Sequence, residues 1–264
     1  MVDREVLQGG VGNAGLVVRE GDRVSRPARP QSETIQALLR HVRATGFDGA
    51  PEPLGIDGHG REWLSYVAGD VPFPPYPDWS VTDEALASVA VLLRRFHDAT
   101  LGFERRGDRA WDPEMARAAG GEVICHHDVC LENVVFRDGA AVALLDFDFA
   151  APGTRMWDVA CLTRMCVPID CPEDAGRMRR TVGDPFRRLR LVADAYGLSA
   201  DRTELVDLLG MQTSAGGWFV KRRVDAGDAA FTRMWDETGG AERYDRRRDW
   251  FEANRQHFLD ALQA

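Results

Sequence analysis

The sequence predicts an α+β chain of two unequal lobes, a small β-rich part over residues 1–67 and a larger, mainly helical part over 68–264. Three observations predict it. Short apolar stretches separated by Gly, Pro and acidic turn residues fill the start of the chain. A Pro-rich segment from Pro72 to Pro77 follows Ala68-Gly69-Asp70, and this change of composition sets a hinge over residues 64–70. Beyond it, apolar residues recur mostly at helical spacing. With 264 residues, 44% of them hydrophobic, the chain can bury a sizeable core.

Val6–Gly9 reads as a strand running into the glycine-rich stretch Gly9 to Gly15. Leu16–Arg19 and Arg23–Arg26 flank Glu20-Gly21-Asp22, the composition of a tight hairpin. Pro27 and Pro30 break the pattern. Glu33–Ala44 then spaces Ile35, Leu38, Leu39 and Val42 on one helical face, with Gly46 as a stop. Pro51–Tyr66 predicts two further strands around Asp57-Gly58-His59-Gly60. After the hinge, Ser80 with Asp83 has capping-box spacing and opens a helix carrying Leu86, Val89, Ala90, Leu93 and Phe96. One hairpin is predicted in this part, Asn133–Phe136 with Ala141–Asp146, turned by Asp138-Gly139. Helices follow over Trp157–Met165, Pro185–Tyr196, Thr203–Arg223 and Ala241–Leu262.

Composition removes several function classes. A net charge of -9 argues against general nucleic-acid binding. The longest clean apolar run, Ala85–Leu93 with one Ser in it, is far short of a membrane span. The N-terminus shows no basic segment followed by an apolar one, so a cytoplasmic protein is expected. Cysteines at 125, 130, 161, 166 and 171 form no C-x-x-C pair, which points to free thiols rather than a zinc site. Cys130 reads as a small packing residue.

Residues 126–148 carry the chemistry. Asp128 is followed five residues later by Asn133, and thirteen beyond that by Asp146. That set suits phosphoryl transfer with a divalent metal. Asp128 would accept or orient the proton of an attacking hydroxyl, while Asn133 and Asp146 would supply the oxygen ligands Mg²⁺ prefers. An Asp ending the apolar run Val142 to Leu145 is poorly explained by packing. His126 reads as a brace through a backbone hydrogen bond rather than as an acid, and His127 has no assigned role. Asp148 either supports the metal or orients the loop. Asp158 is either a plain carboxylate at a helix N-terminus or a brace to the catalytic loop.

Gly10-x-Gly12-x-x-Gly15 fits more than one kind of phosphate loop. A dinucleotide fingerprint must open a helix, whereas Leu16–Arg19 reads as a strand. Strand, glycine loop, strand is the arrangement of a flap over nucleotide phosphates. No Gly-Lys-Ser/Thr occurs, which excludes a P-loop. The sole lysine is Lys221, so no lysine is available to grip the phosphates from the third strand. Arg26 is the substitute, and Glu33 either pairs with it or is a solvent-exposed Glu in a first helical turn.

These residues resemble the aminoglycoside phosphotransferase family, part of a kinase-like superfamily that includes choline and homoserine kinases. The resemblance rests on Gly9 to Asn13, Leu54 to Asp57, Ser65 to Gly69, Arg95-Phe96-His97, Cys125 to Asp128 with Asn133 to Phe136, Leu145 to Ala150, and Trp157 to Ala160. It extends to a bacterial phosphotransferase branch that is trifolitoxin-immunity-like, through the Arg-Pro after the third strand and Phe47 to Pro51. It is strong over 121–160 and thins after residue 165. His127 stands where Gly or Asn is commoner, Phe147 where Trp is commoner, and Arg26 where lysine is.

The resemblance implies a bilobal protein-kinase-like fold with ATP or GTP and Mg²⁺ in the cleft. It implies Asp128 as the catalytic residue and Asn133 and Asp146 as metal ligands. Gly9, Gly10, Gly12, Asn13, Arg26, Glu33, Ser65 and Val67 would then hold the nucleotide. The expected activity is phosphoryl transfer to a hydroxyl of a small molecule, such as an aminoglycoside or another antibiotic or natural product, with no membrane or nucleic-acid partner. Asp70, Asp225, Asp228, Glu237 and Glu242 are candidates to recruit an amine-bearing acceptor, and Trp218, Phe219, Trp235 and Trp250 to line a flatter pocket. The alternatives are a non-catalytic immunity or binding protein on the same fold, and a choline- or homoserine-type metabolite kinase.

Overall fold

A computed structural model describes every residue except 1–3, 9–14, 106, 108, 113, 115–119, 178–182 and 199–200. The chain begins as an antiparallel five-stranded sheet in the order β1-β2-β3-β5-β4. Its strands are β1 (Arg4–Val6), β2 (Val18–Glu20), β3 (Arg23–Pro27), β4 (Pro53–Ile56) and β5 (Arg61–Ser65). Gly21, at φ 65°, turns β2 into β3. The register sets Arg26 of β3 opposite Glu62 of β5, a pairing that matters below. Helix α1 (Ser32–Ala44) buries Ile35, Leu38, Leu39 and Val42, the face its spacing predicts. These residues join an apolar core that continues through the later helices as far as Leu262.

Beyond β5, Gly69 adopts φ 146° and the next residue, Asp70, exchanges both backbone hydrogen bonds with Phe136 (2.9 and 2.8 Å). The segment after the first sheet is thereby tied to the later hairpin. Helix α2 (Asp83–Ala99) is capped by Thr82, whose hydroxyl accepts from Ala85 N. Ser80, the expected cap, instead lies in a short 3-10 turn over Asp78–Val81 and donates to Pro77 O. Both hydroxyls suit a cap, and the extended backbone at Thr82 decides between them.

The hairpin forms as β7 (Val134–Arg137) and β8 (Ala140–Leu144), with Asp138 and Gly139 both at positive φ. The first strand keeps its predicted length but lies one residue later, and the second starts one residue earlier and ends two earlier than predicted. Asn133 ends a 3-10 turn before β7, and Asp146 follows β8 at φ 55°, a left-handed conformation that Asp tolerates better than most residues. A second strand pair, absent from the sequence reading, joins β6 (Val123–Cys125) to β9 (Ala151–Gly153). Each strand has three residues, too few to show a period.

Helices α3 (Arg155–Cys166), α4 (Pro172–Arg177), α5 (Pro185–Tyr196), α6 (Thr203–Asp225), α7 (Ala229–Thr238) and α8 (Gly240–Gln263) complete the chain. Helices α4 and α7 have no counterpart among the helices the sequence predicts. Asp228 caps α7 through bonds from Ala230 N and Phe231 N, and Gly239 closes it at φ 95°. No helix among the described residues is long and apolar enough to cross a membrane. All five cysteines are free thiols.

Candidate active site

The β6–β9 pair clamps the two loops that matter. The loop from His126 to Asn133 leaves β6, and the loop from Leu145 to Ala150 enters β9. Between them, Leu145 N donates to Asn133 O (2.8 Å). Asn133 then turns its amide nitrogen onto Asp128, donating to the Asp128 carboxylate (2.9 Å) and backbone carbonyl (3.0 Å). This fixes which way the amide points. Its oxygen faces away from Asp128 and is available as a hard ligand.

The first loop hangs on Asp158, near the start of α3. Its fully buried carboxylate accepts from His126 N (2.6 Å), His127 N (2.9 Å) and His97 Nε2 (3.0 Å). Burial alone would raise the Asp158 pKa, but the His97 hydrogen bond and the surrounding histidines hold it well below the usual carboxylate range. Asp158 therefore braces the loop. His126 bonds Leu145 O through Nε2 (2.8 Å), as the brace reading expected. His127 is not incidental. It is buried at φ 64°, and its Nδ1 bonds Phe149 O (2.9 Å). Burial lowers the pKa of both rings and favours the neutral forms that these contacts use.

The neighbouring carboxylates of the two loops repel one another. Burial first, and Asp146 second, push the Asp128 carboxyl up to about 7. Burial and Asp146 likewise raise Asp148 to about 6, against the pull of Arg26 and Arg29. A divalent cation between such groups relieves that repulsion, so the oxygen donors Asn133 and Asp146 fit a Mg²⁺ site. When bound, the metal would neutralise charge on nucleotide phosphates.

Arg26 is the crossing point of the network. Its Nε donates to Glu62 (2.9 Å), Nη1 to Asp146 (2.9 Å) and Nη2 to Asp148 (2.6 Å). Burial would weaken its charge, but Asp146, Asp148 and Glu62 together hold its pKa above the usual arginine range. Glu62 is 0% exposed and also accepts from Gln36 Nε2 (3.0 Å). Of the two readings of Glu33 the solvent-exposed one holds, and Arg26 pairs elsewhere. Glu33 points to solvent because α1 turns its neighbours Ser32 and Thr34 inward. Sequence reasoning missed Glu62; the signal was a carboxylate at an inward strand position, but its partner depends on register.

Asp148 is also paired with Arg29 (2.9 Å), and its backbone carbonyl accepts from Gln31 Nε2 (3.0 Å). It is a tether between the first sheet's flank and the second loop. Ser65 ends β5 and its hydroxyl accepts from Glu52 N (2.8 Å), while Val67 lies half-buried just beyond. Gly9, Gly10, Gly12 and Asn13 lie outside the described residues. Of the acids expected to recruit an amine, Asp225 is paired with Lys221, and Asp228 serves as the α7 cap.

Residues 108–192 match the model of the phosphotransferase enzyme family. The trifolitoxin immunity protein of Rhizobium leguminosarum bv. trifolii is 34% identical over 206 residues, 75% of this chain and 76% of that protein. The chain belongs to the phosphotransferase enzyme family.

Solved structures of the family's fold agree. A choline/ethanolamine kinase family protein from Mesorhizobium loti aligns with a TM-score of 0.64 at 17% identity, covering 100% of this chain and 92% of that one. Aminoglycoside 2'-phosphotransferase-IIIa, in its GDP complex, aligns with a TM-score of 0.56 at 13% identity, over 97% of this chain and 93% of that one. The fold is thus the α+β, bilobal arrangement of kinase-like phosphotransferases, a sheet-rich part followed by a mostly helical one.

Proposed function

We propose that this phosphotransferase family member moves the γ-phosphate of ATP or GTP to a hydroxyl of a small molecule. The observation that carries this reading is the Asp128–Asn133 contact (2.9 Å) held beside Asp146 by the Leu145–Asn133 hydrogen bond (2.8 Å). Asp128 orients the acceptor hydroxyl and receives its proton as the oxygen attacks the phosphoryl group and the nucleoside diphosphate departs. Asn133 and Asp146 would hold Mg²⁺. Gly9 to Asn13, with Ser65 and Val67, would contact the nucleotide, and residues 1–67 and 68–264 would form the two sides of its cleft. Arg26 completes the nucleotide site less directly than a free lysine, because its guanidinium already bridges Glu62, Asp146 and Asp148. Its role is to set the position of the metal-side carboxylates. Glu33 has no part in that network.

The test is nucleotide consumption with phosphate transfer detected by mass across a panel of hydroxylated antibiotics and metabolites. Asp128→Asn should lower turnover by roughly 10²–10⁴-fold, the usual worth of a positioned base. Unchanged turnover in that variant sinks the assignment. A second reading is favoured by the relative itself, which is named as an immunity protein. On that reading the fold sequesters a toxin without catalysis, and Asp128→Asn leaves protection intact.

A further inference from the structure

Arg164 is the cation that the transfer scheme leaves unused. It lies on α3 between two thiols that bond the catalytic loop: Cys161 donates to His127 O (3.0 Å) and Cys166 to Val129 O (3.4 Å). Helix α3 therefore runs along the backbone on both sides of Asp128, with Arg164 between the two contacts. Its field favours ionised Asp128. The side chain is only 8% exposed, and among the described residues it makes no hydrogen bond or ion pair. A buried guanidinium N–H without a partner is a cost to the fold, which a ligand that draws the group into a charged contact would offset.

The sequence also makes room for it. A Cβ on Gly216 of α6 would stand 2.6 Å from Arg164 Nη1. The next residue, Gly217, gives the same clearance to Tyr244 of α8, whose Cδ1 would be 3.0 Å away. Two adjacent glycines inside a helix are unfavourable unless close approach requires them. Arg243, beside Tyr244, is 7% exposed, and its buried Nε likewise has no partner among the described residues. One turn further along α8, Arg247 donates to Ile169 O (3.0 Å), which brings that face of α8 against the segment leaving α3. The glycines thus draw α6 close to Arg164 of α3 and to Tyr244 of α8, a seam that carries two guanidinium groups whose buried Nε atoms have no partner among the described residues.

We propose that this seam is an oxyanion subsite of the acceptor pocket: the molecule that presents its hydroxyl to Asp128 also carries a carboxylate or phosphate, received by Arg164 with Arg243 behind it. The inference rests on the phosphotransferase reading and deepens it. A guanidinium matches a planar or tetrahedral oxyanion with paired N–H donors and repels an ammonium. The acceptor class is therefore a hydroxy acid or phosphate ester, the reverse of an amine-bearing one.

The test holds the hydroxyl constant and varies the charge. N-acetyl-L-serine, N-acetyl-L-serinamide and L-serinamide are anionic, neutral and cationic probes. Their binding to the full-length protein with Mg-ADP is measured by calorimetry and saturation-transfer NMR, and phosphate transfer from Mg-ATP by mass. The anionic probe should bind about tenfold more tightly than the neutral one, with the cationic probe weakest. Arg164→Gln should abolish the preference and Arg164→Lys should keep part of it. Gly216→Ala keeps the charge but displaces the guanidinium, and should also weaken the preference. No preference for the anion in the wild type, including no detectable binding of it, overturns the proposal. So does a preference that survives both Arg164→Gln and Gly216→Ala. If Arg164→Gln slows transfer to all probes equally and leaves their relative binding alone, Arg164 serves the transferred phosphoryl group and the subsite is refuted. Failure of the kinase reading looks different: nucleotide neither binds nor turns over while the charge preference persists.

Discussion

Replacing Asp158 with Asn removes one charge and almost no volume, which makes it a clean probe of the loop brace. The carboxylate accepts three bonds, from His126 N, His127 N and His97 Nε2. One amide oxygen can take the place of Oδ2 and keep the His126 and His97 contacts as neutral bonds. The new NH₂ then faces His127 N–H, a donor against a donor in a buried place. That unsatisfied group costs about 1–3 kcal/mol, and losing the charge from the other two bonds costs about 1 kcal/mol each. The sum is about 3–5 kcal/mol, the size found when one member of a buried charged contact is removed. For a chain of this length, that lowers Tm by roughly 6–20 °C. Urea denaturation followed by circular dichroism gives the free energy directly. The pH profile adds a second check. The folded Asp158 pKa lies below its unfolded value, so the stabilisation is complete above about pH 4 and is lost as pH falls through the folded value. The gap between wild type and variant should stay constant from pH 8 to about pH 5 and narrow only in stronger acid. A loss under about 1 kcal/mol at neutral pH would refute the brace, because three such bonds cannot be worth so little in a buried site.

Three further outcomes are expected. Asp128→Asn should stabilise the metal-free protein by up to about 4 kcal/mol at pH 8, because the folded pKa near 7 makes ionised Asp128 unfavourable; the gain should shrink as pH falls below about 7 and vanish near pH 4, and a denaturation series across pH reads it. Arg26→Met strands Glu62, Asp146 and Asp148, and should cost about 3–5 kcal/mol at neutral pH by chemical denaturation, whereas Glu33→Gln should stay within about 0.5 kcal/mol of wild type. Gly69→Ala places a Cβ 2.5 Å from Phe136 O at φ 146° and should lose at least about 2 kcal/mol, while Gly58→Ala, with nothing within 4 Å, should lose far less; thermal melts of the two variants compare them.

Much of this architecture is legible in the sequence because local physics carries it. The face of α1, the Asp138-Gly139 turn and the Pro185 start of α5 each follow from a few adjacent residues. Asp128, Asn133 and Asp146 stand out by spacing, since one short hairpin joins the last two. What was illegible depends on tertiary register. Glu62 meets Arg26 only because β3 and β5 pair in one register, and its place on a strand does not name that partner. The β6–β9 pair is too short for a pattern and closes across a long stretch of chain. Helix α7 did leave a trace, an Asp228 cap and a Gly239 stop, hidden by the longer helical runs on either side. Arg164 looked like one arginine among many, and only its burial set it apart.

The β6–β9 clamp has a consequence for how the protein comes apart. Cys125 pairs with Ala151, so the His126–Asn133 loop, the hairpin and the Leu145–Ala150 loop form one closed excursion of the chain. Closing a loop of that size costs about 3 kcal/mol of chain entropy, set once for everything inside it. The amides of His126 and His127, bonded to Asp158, should then exchange with solvent at the same rate as those of β6 and β9, as a single opening event. A peptide inserted at the Asp138-Gly139 turn lies at the far end of that excursion, where it lengthens the loop without separating Asp128 from Asp146.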